Sequence, residues 1–160
     1  MRGLALFASG ILVGLLTQAV FAQDRGIRAL SHVGIGVRNF DQAVSYYTKT
    51  LGFREAFALR EPDGRPVLTY LQINRDTFIE LQPTTGNQPE GVTHFGLEVG
   101  DLQETVRGLR QRGLQVEEPR MGRSAAPLAN TLEPHPYGVR IELLEFAPAS
   151  LQRKAIDGWK

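Results

Sequence analysis

Two periodicities alternate along the chain. Residues 32–37 (His-Val-Gly-Ile-Gly-Val) put Val33, Ile35 and Val37 on one face and His32, Gly34 and Gly36 on the other, which is the two-residue repeat of a strand. The period then lengthens. Phe40, Ala43, Val44, Tyr47 and Leu51 recur at helical spacing, Asn39 with Gln42 makes a capping-box start, and Gly52 stands where a helix stops, so the pattern predicts a helix over 40–51. Residues 53–60, 66–73 and 77–82 read as three strands, divided by the turn signals Pro62-Asp63-Gly64 and Asn74-Arg75-Asp76. The order then returns: a strand over 92–99, a helix over 102–112 capped by Asp101 with Glu104 and stopped by Gly113, and strands near Gln115, near Ala129 and over 139–146. Residues 84–91 read as a short linker and 120–127 as a mobile loop.

The second series copies the first. Ser31-His32-Val33-Gly34 aligns with Thr93-His94-Phe95-Gly96, and Ile79-Glu80-Leu81 with Ile141-Glu142-Leu143, every pair 62 positions apart. Two copies of this size suit a duplicated module better than a solenoid. The expected fold is therefore α+β: one domain of two β-α-β-β-β modules, at about 29–83 and 91–147, with the helices on one face of the sheet. Strand alternation puts His32, Glu80, His94 and Glu142 in the phase opposite the aliphatic set Val33, Ile35, Ile79, Leu81, Phe95, Leu97, Ile141 and Leu143. The aliphatic set faces the helices, and the four polar residues share the open face. A pseudo-twofold axis between the modules would bring two His and two Glu together as one N2O2 metal site. Gly34, Gly36 and Gly96, beside the histidines, remove bulk and leave room for a ligand.

Residues 3–22 stand apart from this pattern. Arg2 supplies a short positive start, 4–16 an apolar core, and Val20-Phe21-Ala22 a small-x-small cleavage motif before Gln23, so 1–22 reads as a signal peptide and the protein as exported. Membrane association is expected only if that segment stays uncleaved. Residues 23–160 form the single domain. In the whole chain of 160 residues, 18 Lys+Arg against 17 Asp+Glu leave no basic surplus for a phosphate backbone, so nucleic acid is not an expected partner. The absence of cysteine removes disulfides, thiolate ligands and a cysteine nucleophile, and chemistry falls to carboxylates, imidazoles, hydroxyls or a metal.

The duplicated modules, the openings His32-Val33-Gly34 and His94-Phe95-Gly96 and the Ile-Glu-Leu endings resemble the vicinal oxygen chelate superfamily. It includes glyoxalase I, extradiol dioxygenases, methylmalonyl-CoA epimerase and the fosfomycin and bleomycin resistance proteins. The resemblance implies an incomplete barrel-like mixed sheet and one divalent metal (Zn, Ni, Fe, Mn or Co) held by His32, Glu80, His94 and Glu142. Glyoxalase I is similar in its full His, Glu, His, Glu set, whereas the epimerases commonly carry Gln at the position of Glu80. The implied function is a glyoxalase-like lyase or isomerase acting on a small oxygenated substrate through an enediolate. Glu142 is the expected proton-moving base and Glu80 the second. The alternatives are an Fe(II) extradiol-type dioxygenase using His32, His94 and Glu142, and a metal-free small-molecule-binding protein. Glutathione recognition lacks its expected residues, since Gly36 and Thr84 stand where bacterial glyoxalase I has Arg and Asn. Related folds build their sites within one chain or across a homodimer interface.

Other polar residues carry weaker signals. Glu98 shares the phase of His94 but reads as a solvated or salt-bridged side chain, and His135 as part of an exposed turn. Arg123 and Arg140 are candidates to meet an anionic substrate. Tyr46, Tyr47, Phe40 and Phe53 read as core or interface.

Overall fold

The computed structural model describes residues 26–86, 90–132 and 138–160; the expected signal segment 1–22 and His135 lie outside them. The first module comprises β1 (Ile27–Val37), α1 (Phe40–Ser45), β2 (Arg54–Arg60), β3 (Pro66–Gln72) and β4 (Phe78–Pro83). The second comprises β5 (Gly91–Val99), α2 (Leu102–Gln111), β6 (Arg120–Met121), β7 (Pro127–Asn130) and β8 (Arg140–Glu145). The eight strands among the described residues make one mixed sheet in the order β2-β3-β4-β1-β5-β8-β7-β6, curled into a half-barrel. The modules meet where β1 and β5 pair antiparallel, and in each module the first strand runs parallel to the last. The α+β architecture is the one the periodicities predict.

Local chemistry fixes the helices. Asn39 Oδ1 accepts the Gln42 N–H at 3.1 Å and Asp101 Oδ1 that of Glu104 at 2.8 Å, so each helix starts on its expected cap. Gly52 and Gly113 follow the helical segments with φ of +76° and +88°, a conformation in which a Cβ is penalised. The first helix differs from expectation in its second half, where Tyr46–Thr50 is π-helical. There the Thr48 hydroxyl donates to the Val44 carbonyl at 2.7 Å and competes with the regular ladder.

The aliphatic phase of the strands packs outward. Leu71, Leu81, Ile35 and Ile79 meet Phe40, Val44, Tyr47 and Phe53 around α1, while Val99, Leu143, Leu97 and Ile141 meet Leu102 and Val106 of α2. Tyr46 is exposed, unlike its three aromatic neighbours.

Three further features depart from the sequence expectation. Residues 120–127 are not a mobile loop: Arg120–Met121 pairs with β7, and the turn between them is closed by Gly122 N–H to Ala126 O at 2.8 Å. The strand near Gln115 reduces to an isolated Val116–Thr131 bridge, and Pro119 has no N–H to extend it. Most consequential is a third helix, α3 (Leu151–Asp157), capped by the Ser150 hydroxyl. Its Ala155 and Ile156 pack on Tyr70, Phe78, Leu128, Leu144 and Phe146, an apolar cluster on the concave face. Leu151 N–H and Gln152 Nε2 both donate to Ser124, and Gln72 Nε2 donates to the Ala155 carbonyl, so α3 is tied to β3 of the first module and to the β6–β7 turn of the second. The concave face, expected to be open, is closed over that cluster by α3.

Candidate metal centre

Strand register places the four candidate ligands in two rows across the concave face. One row runs Tyr70, Glu80, Gly34, His94, Arg140 over β3, β4, β1, β5 and β8. The other runs Phe78, His32, Gly96, Glu142, Asn130 over β4, β1, β5, β8 and β7. Each row thus holds one His, one Glu and, between them, one Gly. The rows exchange under the 62-residue repeat, so the pseudo-twofold axis passes through the site.

The glycines make room for the rings rather than for a ligand. A Cβ on Gly34 would stand 2.1 Å from His94 Cε1, and one on Gly96 would stand 2.1 Å from His32 Cε1. With each imidazole lying over the opposite module's glycine, the two Nε2 atoms come within 3.0 Å. Glu142 Oε2 lies 3.5 Å from His32 Nε2 and 3.9 Å from His94 Nε2, while Glu80 oxygens lie 3.7 and 3.9 Å from the same atoms. One donor atom from each residue falls within 4.8 Å of all the others, and all four residues are buried. Bonds of about 2.0–2.1 Å to one ion set neighbouring donors roughly 3 Å apart, so small displacements suffice for all four to reach it.

The far sides of the rings are also paired. Ser31 Oγ lies 3.0 Å from His32 Nδ1 and Thr93 Oγ1 lies 2.9 Å from His94 Nδ1, again one contact repeated after 62 positions. With Nδ1–H donating to the hydroxyl, each Nε2 keeps its lone pair for the centre. Two such lone pairs 3.0 Å apart repel one another unless a proton or a cation lies between them. The donor set therefore fits a divalent ion. The Ser31→Ala/Thr93→Val double variant is expected to bind metal about 10- to 100-fold more weakly, measured by competition with a chelator. An unchanged affinity would remove the hydroxyls from this role.

Burial holds the cluster near neutrality without metal. It lowers both imidazoles, His32 well below its ordinary value with help from His94 and Arg140, and His94 to about 4 with Arg140 assisting. Glu80 is raised to about 8, first by desolvation and then by the neighbouring Glu142 carboxylate. Hydrogen bonding from the Tyr70 hydroxyl and the Gln82 amide, together with the Arg140 charge, works against that rise. Glu142 is raised by desolvation against the pull of Arg140 and Arg120. A divalent ion would reverse the balance by favouring both carboxylates as anions.

Tyr70, Gln82, Ser31 and Thr93 join the site without having been singled out from the pattern. The hydroxyl pair obeys the 62-residue offset, which is the signal that identifies it. Tyr70 and Gln82 break the repeat, since the matching positions hold Leu132 and Leu144, and they carry no such signal. Glu98 lies outside the cluster, paired with Arg153 at 3.3 Å and Arg28 at 3.8 Å. Arg123 is bound to Glu61 at 2.9 Å on the surface and is not brought to the site. Arg140 is.

No curated protein matches the chain at a significant level. Among solved structures, methylmalonyl-CoA epimerase from Mycobacterium tuberculosis is similar at 26% identity, covering 77% of this chain and 91% of that one with a TM-score of 0.64. A variant of the Streptomyces coelicolor methylmalonyl-CoA epimerase in complex with 2-nitronate-propionyl-CoA matches at 23% identity, 76% and 99% coverage and a TM-score of 0.64. A hypothetical protein from Bacillus halodurans C-125 matches at 23%, 74% and 94% with the same TM-score. The fold is thus shared with isomerases whose substrates are small molecules. Residues 31–129 match the model of the Glyoxalase/Bleomycin resistance protein/Dioxygenase superfamily, and with the duplicated modules and the paired His–Gly rows already described, the chain belongs to that superfamily.

Proposed function

We propose that this protein is a divalent-metal-dependent isomerase or lyase of glyoxalase type that moves a proton on a small oxygenated substrate. The observation that carries this reading is the buried cluster of His32, Glu80, His94 and Glu142 with its donors facing inward. These residues would hold one ion of Zn, Ni, Fe, Mn or Co. Such an ion supplies Lewis acidity toward adjacent oxygens of a hydroxy-carbonyl compound.

The two carboxylates are not equivalent. Glu80 is held by hydrogen bonds from the Tyr70 hydroxyl and from Gln82 Nε2. Glu142 has the two imidazoles as its close polar partners, and its side chain is 11% exposed against 4% for Glu80. It is the carboxylate with freedom to leave the ligand set, take the proton from the carbon next to the carbonyl and return it elsewhere. Glu80 then stays as the fixed ligand. Burial by the apolar cluster under α3 excludes water from one end of the site. All four groups come from one chain and meet within it. Export remains part of the proposal, supported by the sequence pattern of residues 1–22.

The test begins with metal content by mass spectrometry on protein purified without added metal or affinity histidines. It continues with deuterium incorporation from solvent into a panel of small 2-hydroxycarbonyl compounds. One ion per chain and exchange at the carbon beside the carbonyl are expected. Glu142→Gln is expected to slow that exchange about 10²- to 10⁴-fold, and Glu80→Gln less, because its amide oxygen can still face the ion. Equal losses, or the reverse order, would overturn the assignment of roles. Iron with oxygen uptake on catechols would point to the dioxygenase reading, and no metal after reconstitution would leave a binding protein.

A further inference from the structure

The pseudo-twofold symmetry of the site is broken at its two mouths. The residue 62 positions before Arg140 is Phe78, and each flanks a histidine in its row: Phe78 is in register with His32, and Arg140 with His94. The residue 62 positions after Gln82 is Leu144. Phe78 and Leu144 lie at the end of the concave face that α3 closes, both fully buried. Their counterparts Arg140 and Gln82 are half-buried and polar at the opposite end. One mouth of a symmetric site has been sealed with apolar side chains, and the other has been given a cation.

Arg140 is held in place. Its Nη1 donates to Asn130 Oδ1 at 2.7 Å, and Asn130, opposite Glu142 in register, is itself fixed by Nδ2 to Glu117 Oε2 at 2.9 Å. The side chain therefore runs from beside His94 along the flank of Glu142. Its charge is felt at His32, His94, Glu80 and Glu142 alike. Among the described residues Asn130 takes one of the five N–H donors of this guanidinium, whose planar fork suits a carboxylate. A divalent ion with two carboxylates is neutral, and Glu117 is offset by Arg120 at 4.0 Å, so among the described residues the local sum at this mouth is positive.

We propose that Arg140 is the specificity-determining residue of this site and binds a carboxylate carried by the substrate beside its metal-directed oxygens. The inference rests on the metal reading above. The substrate class is then a small hydroxy- or oxo-carboxylic acid rather than a neutral carbonyl compound.

The test uses the protein loaded with the metal it retains and measures binding by calorimetry of acetohydroxamate, a two-oxygen chelator that carries no carboxylate. Hydroxamates bearing a terminal carboxylate on one-, two- and three-methylene tethers are compared with it. At least one carboxylated probe is expected to bind about 10- to 100-fold more tightly than acetohydroxamate. Arg140→Gln is expected to abolish that preference, read as the ratio of carboxylated-probe to acetohydroxamate affinity within the metal-loaded variant, and Arg140→Lys to restore part of it. No preference in the wild-type protein, or a preference that survives in Arg140→Gln, overturns the assignment and leaves the metal reading standing. Equal weakening of all probes with a lowered melting point in Arg140→Gln marks a purely structural arginine and also overturns it. A protein that takes up no metal and binds no hydroxamate overturns both readings.

Discussion

Alanine at Gly34 or Gly96 is expected to abolish metal binding and to cost about 1–3 kcal/mol of stability, the usual range for overpacking a filled interior. The new Cβ at position 96 would stand 2.1 Å from His32 Cε1, 2.2 Å from its Nδ1 and 2.8 Å from Ser31 Oγ, and ordinary contacts begin near 3.4 Å. The ring must therefore retreat by more than 1 Å. It has nowhere to go, because it is fully buried with the Tyr70 ring 5.2 Å away, centroid to centroid. Retreat also breaks the Ser31 contact that orients it. A metal site tolerates roughly 0.5 Å of misplacement, so the ligand set loses a member even where the fold survives. Gly34→Ala acts on His94 in the same way, with Cε1 at 2.1 Å and Nδ1 at 2.3 Å. Urea unfolding midpoints and metal stoichiometry of the two variants measure both effects. Wild-type stoichiometry at wild-type stability would mean that the rings do not sit over the glycines.

That dependence shows why so much of the site is legible in the sequence. A duplicated module writes each functional position twice, and His32, Gly34 and Glu80 reappear 62 positions on, as does the hydroxyl of Ser31 in Thr93. What the repeat cannot show is the asymmetry that the single chain adds to it. Tyr70, Gln82 and Arg140 have unlike counterparts in Leu132, Leu144 and Phe78, so nothing in the repeat marks them as site residues. Helix α3 lies beyond both modules. Its signal is present, with Ser150 as cap, Gly158 after the end and the pairs Leu151/Ala155 and Gln152/Ile156 at helical spacing. Which surface it covers is a tertiary fact. The glycines show the same limit: small residues beside ligands suggest vacant space, yet here the volume belongs to the opposite module's imidazole, a distinction that depends on the β1–β5 register. Residues 120–127 read as mobile because Gly122, Ser124 and Pro127 are turn formers, whereas their turn is buttressed by α3 through Ser124.

The metal-free protein is expected to lose stability as pH rises from about 6.5 to 8, and the metal-loaded protein is not. Glu80 has an ordinary value of 4.5 and stands at about 8 in the fold, so the folded state holds a proton that the unfolded state has released. Its contribution is fully present below 4.5 and is lost as pH climbs through 8. Glu142, also raised, acts in the same direction. His94 runs the other way: lowered from 6.5 to about 4, it contributes above 6.5 and loses that contribution as pH falls through 4, with His32 acting in the same sense. Between 4.5 and 6.5 the carboxyls and the imidazoles act in opposite directions. Above 6.5 the histidines are neutral in both states and the carboxyls act alone, at about 1.4 kcal/mol per pH step for one proton, or roughly 2 kcal/mol by pH 8. A bound divalent ion keeps both carboxylates ionised at all these values, so the slope disappears and loading at about pH 7 releases protons to solvent. Melting curves at about pH 5.5, 6.5, 7.2 and 8, after chelator treatment and again with metal, read both limbs. Glu80→Gln should flatten most of the metal-free decline, because the amide has no proton to lose. A metal-free midpoint that stays level across the upper part of that range would show that the buried carboxyls are already ionised, and that some other cation balances them.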